Sequence, residues 1–82
     1  MDLNEEIGRE LSAADLKVKT VVVLRKEGRP AITSWVSQMG SDYVAFYNGV
    51  GNTTFLAMRK PDDTLWDDTP MRIHVFEYLG EI

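Results

Sequence analysis

Alternation is the feature that most constrains this chain. Five segments in which apolar and polar residues take turns, each five to nine residues long, follow one another with short gaps rich in Gly, Pro, Asn or Asp between them. A period of two sends successive side chains to opposite faces of a strand, so each segment predicts a strand with one face for a core and one for solvent. "KVKTVVVLR" (17–25) sets Val18, Thr20, Val22 and Leu24 on one face, and its second half is apolar on both. "AITSWVSQM" (31–39) alternates Ile32, Ser34 and Val36 with Thr33 and Trp35. "YVAFY" (43–47) opposes Val44 and Phe46 to Tyr43, Ala45 and Tyr47, and "TTFLAMRK" (53–60) and "MRIHVFEYL" (71–79) complete the set. The gaps "KEGRP", "GSD" and "NGVGN" suit tight turns, because Gly and Asn accept left-handed backbone and Pro lacks a donor for a ladder.

Five consecutive strands joined by short turns predict an all-β fold. A flat antiparallel sheet of this length would expose its edges, so closure into a small five-stranded antiparallel barrel, or a strongly bent sheet, is expected. The strand count and turn spacing are similar to those of SH3-like barrels, whose motif residues are absent, and a likeness of architecture carries no function. Leu3, Ile7 and Leu11 recur at every fourth position among charged residues, so residues 1–14 are expected to form a short amphipathic helix capped by Asp2. Gly8 weakens that helix, and "SAAD" (12–15) resembles a capping pattern that would leave only a turn there. The chain 1–82 thus reads as one small β domain, with a helical segment over 1–14 and the sheet over 16–79.

An 82-residue chain has little room for a deep active site. Without cysteine it has neither a disulfide framework nor a thiolate metal site, which fits a reducing cytoplasm. No apolar run approaches the roughly 20 residues of a membrane-spanning helix, and the acidic start "MDLNEEIGRE" lacks the basic and apolar regions of a signal peptide. A cytoplasmic location without membrane contact is expected. The net charge of −4 is unevenly spread: both ends are acidic, whereas the middle carries Lys17, Lys19, Arg25, Lys26, Arg29, Arg59 and Lys60 against Glu27 and Asp42. Such segregation creates a positive surface unless the acidic ends fold back on it.

The most unusual stretch is "PDDTLWDDTP" (61–70), in which Asp-Asp-Thr occurs twice around Leu65 and Trp66. Several carboxylates suggest a divalent cation held by the Asp62–Asp68 loop, yet the alternate acidic positions, sharp-turn glycine and closing Glu of an EF-hand are missing. Two turns flanking an apolar plug explain the repeat without a ligand, because Asp side chains bond nearby backbone amides. Trp66 is expected to be the buried plug and Leu65 its less buried neighbour. His74, the single histidine, lies beside Arg72 and Phe76 on one face of its strand, and no serine sits in a nucleophile setting. "NGVGN" lacks the Lys and the strand-to-helix context of a phosphate loop. No catalytic residue, metal ligand or cofactor is assigned.

A non-enzymatic interaction or assembly module is therefore the expected role, its partner another protein or a second copy of the chain. Val44 and Phe46 should face the core, which turns Tyr43 and Tyr47 outward; with Trp35 and Arg59 they are the candidate partner-binding residues, since aromatics and Arg concentrate at interface centres. Leu56 and Met58 extend that surface if Phe55 and Ala57 join the core, unless the N-terminal helix covers them with Leu3, Ile7 and Leu11. The alternative is a barrel that binds single-stranded nucleic acid by stacking bases on Trp35, Tyr43 and Tyr47 near Arg25, Lys26, Arg29, Arg59 and Lys60. An acidic chain repels a polyanion, so nucleic-acid binding is expected to be weak.

Overall fold

The computed structural model describes residues 7–80. Its strands are β1 (Ile7–Leu11), β2 (Val21–Arg25), β3 (Ile32–Met39), β4 (Tyr43–Asn48), β5 (Thr53–Arg59), β6 (Leu65–Trp66) and β7 (Arg72–Tyr78). From β2 to β7 every strand pairs antiparallel with the next, and β7 returns to β2, so six strands close a barrel while β1 adds a seventh beside β7. The expected small all-β barrel is thus present, with one more wall strand than the five alternating segments supply. That strand is the two-residue β6: Met58 and Arg59 of β5 pair with Trp66 and Leu65, which pair in turn with Arg72 and Ile73 of β7. Closure is confined to one end of β5, because the β5–β6 ladder reaches only Met58 and Arg59.

Alternation fills the barrel as the sequence leads one to expect. Val22, Leu24, Val36, Val44, Phe46, Ala57, Leu65, Ile73 and Val75 point inward and are buried together. Phe55 stacks on Phe46 with ring centroids 5.7 Å apart. Burial of each such large apolar side chain contributes about 1.5–3 kcal/mol, the main force holding so small a domain. In β3 an extra residue, Ser37, stands between the pairs Val36–Phe46 and Gln38–Ala45, and its hydroxyl donates to the Ala45 carbonyl at 3.2 Å. This bulge returns Met39 to the core side opposite Val44 and adds the curvature a small barrel needs.

Two local expectations are corrected. Lys17–Thr20 is a turn rather than the first half of a strand: the Thr20 amide donates to the Lys17 carbonyl, and Lys19 takes a φ of 78°. Through that turn the Lys19 amide and the Thr20 carbonyl bracket Val36 at 2.7 and 2.9 Å. The helix expected over 1–14 is replaced, in its described part, by strand β1 and a single 3-10 turn at Ala13–Asp15; Asp2 and Leu3 lie outside the described residues. β7 explains the change. β6 occupies the N-terminal half of one β7 edge, and β1 takes the other half through Glu10–Phe76, Leu11–Val75 and Ile7–Tyr78. Gly8 permits the approach, since a Cβ there would stand 2.7 Å from the Glu77 Cβ. The "SAAD" pattern does form its cap: the Ser12 amide and hydroxyl both donate to Asp15 Oδ2, at 3.0 and 3.2 Å. The turn seats Ala13 and Leu16 in the core and is tied to the Asp-rich loop by the Ala13 amide, 3.0 Å from the Asp63 carbonyl.

Candidate functional site

The outward face of β3, β4 and β5 gathers the aromatic residues that the sequence singles out. Trp35 stands opposite Tyr47 on the neighbouring strand, ring centroids 4.6 Å apart and planes tilted by 50°, a cross-strand pair that fixes both rings. The Tyr47 hydroxyl is held by Asn52 Oδ1 across the β4–β5 hairpin. Two residues along β4, Ala45 faces Leu56, and beyond it Tyr43 faces Met58. The Tyr43 ring lies against Gly40, where any Cβ would collide with it, and is half-buried. Leu56 is 63% exposed, Met58 42% and Trp35 39%. Met58 also pairs with Trp66, which carries the apolar strip onto β6.

Leu56 and Met58 are exposed because Phe55 and Ala57 do face the core, and among the described residues the N-terminal segment forms β1 and a 3-10 turn, with Leu11 packed against the core. Their membership was legible only once the phase of β5 was fixed by the Phe46–Phe55 pair. Arg59 does not join the face. It belongs to the inward-facing set at the closed end of β5, where its Nε and Nη2 both lie 3.0 Å from Asp63 Oδ1 and its amide donates to the Asp42 carbonyl. It ties two loops together.

Adjacent Leu65 and Trp66 exchange their expected places. Leu65 is the buried plug, whereas Trp66 lies on the outer wall, half-buried, with its indole N–H donating to Thr64 Oγ1 at 2.8 Å. The flanking repeats are two copies of one turn. Asp62 Oδ1 accepts from the amide and the hydroxyl of Thr64 at 3.1 and 2.6 Å. Asp67 Oδ1 does the same with Thr69 at 2.9 and 2.7 Å and also takes the Met71 amide at 2.8 Å. Asp67 is buried, and its Oδ2 receives the Lys26 ammonium at 3.1 Å. The Met71 amide and then the Thr69 hydroxyl and amide hold the Asp67 carboxyl far below the usual carboxylate range, with a smaller pull from Lys26, against the opposing effect of burial. The Thr64 hydroxyl and amide lower Asp62 likewise. These Asp-Thr bonds supply the repeat with a structural purpose: they pin the ends of β6.

The acidic loop also folds back on the basic middle. Lys26 pairs with Asp67 and Arg59 with Asp63, while β1 contributes Glu10 to Arg72 at 3.7 Å and to His74 Nδ1 at 2.9 Å. Two of the cations beside the aromatic strands in sequence, Lys26 and Arg59, are thereby paired with carboxylates of the Asp-rich loop. Comparison with known protein families, with curated proteins and with solved structures finds no match.

Proposed function

We propose that this chain is a non-enzymatic interaction module of the cytoplasm, and that another protein docks on the outer face of β3–β5. The contiguous strip Trp35–Tyr47, Leu56 and Met58 carries the reading. Scattered exposed apolar residues are ordinary on a protein surface, but adjacent ones on three neighbouring strands are what an interface core needs. The strip is built on a rigid wall with its tyrosines already positioned, so little side-chain freedom is lost on binding. Its charge-poor centre favours a protein over a polyanion, whose binding rests on phosphate neutralisation.

Replacing Leu56 and Met58 together by Asp tests this, since both side chains already face solvent and the barrel should persist. A protein partner captured by the wild-type chain, or self-association seen in its solution mass, should be lost in the double variant while its circular dichroism and melting temperature stay close to wild type. Retention of the same complex by a folded variant would remove this face from the function.

A further inference from the structure

We propose a second site, at the open end of the barrel, for a small organic carboxylate with an apolar body. The partial closure by β6 leaves a cavity of about 420 Å³ between the loop after β2 and the hairpin end of β4 and β5. That volume falls in the lower part of the range of about 300–1,000 Å³ typical of small-molecule pockets. Its apolar wall is made by Leu24, Ile32, Phe46, Phe55 and Ile73. Three of these, Leu24, Phe46 and Ile73, are otherwise buried core residues, so the cavity opens directly onto the interior.

The polar groups of the cavity make it more than a packing gap. Ser34 lines it and is only 3% exposed, and among the described residues its hydroxyl has no side-chain hydrogen bond. Every fully enclosed side-chain polar atom among the described residues does have a partner, so the Ser34 oxygen is not enclosed and keeps accessible surface on a residue that lines the cavity. That hydroxyl is therefore free to donate to or accept from a ligand oxygen in the cavity. At the rim, Lys26 lies over the Phe55 ring at 5.7 Å, but its charge is already matched by Asp67. Arg29 also lines the rim and forms no ion pair with any described residue. The mouth therefore presents one uncompensated guanidinium, suited to the two oxygens of a single carboxylate, above an apolar floor. A doubly charged phosphate would meet only that one excess charge on a chain of net charge −4.

Octanoate is the probe, with 1-octanol and acetate as its uncharged and headgroup-only counterparts. Amide NMR titration of the full chain should show octanoate at millimolar concentration shifting Ser34, Phe46 and Phe55, with a rise in melting temperature from binding to the folded state. Acetate and octanol should bind more weakly. Arg29→Gln, an exposed change that leaves the core intact, should weaken octanoate about fivefold and leave octanol unchanged. Ile32→Trp, which fills the mouth, should block both without unfolding the barrel. The proposal fails if octanoate leaves the cavity residues unmoved, or if it shifts Trp35 and Tyr47 on the outer wall instead. Equal binding of octanol and octanoate, indifferent to Arg29→Gln, would equally overturn a carboxylate site.

Discussion

Leu65 and Trp66 are neighbours on opposite sides of one wall, and that single difference of phase decides what each is worth. Leu65→Ala removes core volume and is expected to cost about 2–5 kcal/mol, whereas Trp66→Ala loses a half-exposed ring and one hydrogen bond, about 1–2 kcal/mol. Urea unfolding of the two variants checks the order, and the reverse order would place Trp66 in the core. The sequence shows an apolar pair between turns but not its phase: a two-residue strand has no alternation to set it, and size alone favours the tryptophan. The phase comes from Asp62 and Asp67, whose bonds to Thr64, Thr69 and Met71 fix where β6 starts and stops. Asp67 also makes stability depend on acid. Its carboxyl is lowered in the folded chain, so its contribution is complete at neutral pH. That contribution declines once the pH drops below about 4, where the unfolded chain begins to bind the proton, and is lost as the folded value is passed. Asp67→Ala should therefore be less stable than wild type at pH 7, and the gap between their melting temperatures should narrow as the pH falls below that point.

β1 shows how one spacing serves two kinds of element. Ile7 and Leu11, four residues apart, suit a helical stripe, yet the irregularity between Ile7 and Glu10 sends Ile7 to the outer face and Leu11 to the core. Nothing local distinguishes these outcomes; the β7 edge does, by offering a ladder that a short helix containing Gly8 does not match. The five longer strands were legible because their alternation runs for several residues, whereas β6 is too short to alternate and β1 depends on a partner strand distant in sequence. Gly8→Ala should accordingly act on one ladder. Crowding against Glu77 is expected to cost about 1–3 kcal/mol, with amide hydrogen exchange accelerated in β1 and along its ladder with β7 but unchanged between β3 and β4. Uniform loss of protection throughout the barrel would show instead that β1 is inseparable from the fold.

At the scale of the whole molecule, closure of the barrel and cancellation of charge have the same origin. The segment that supplies β6 brings Asp63 and Asp67 to Arg59 and Lys26, so the strand that seals the wall also removes two of the cations that a nucleic-acid groove would need. Trp35, Tyr43 and Tyr47 were legible as a set from alternation alone, but Arg59 was not separable from them, because its role depends on where a loop four residues later returns. The aromatic face left behind is apolar and neutral on a chain of net charge −4. Stacking could hold single bases there, but phosphate neutralisation dominates affinity for a strand and is what this surface lacks. Single-stranded DNA and RNA should therefore bind no more tightly than about 10⁻⁶ M at physiological salt. Fluorescence anisotropy of labelled oligonucleotides measures this directly. Sub-micromolar binding that weakens steeply with salt and is abolished by Trp35→Ala would reassign the face from protein to nucleic acid. A protein interface predicts the opposite dependence, a complex that persists in salt and is lost when Leu56 and Met58 carry charge.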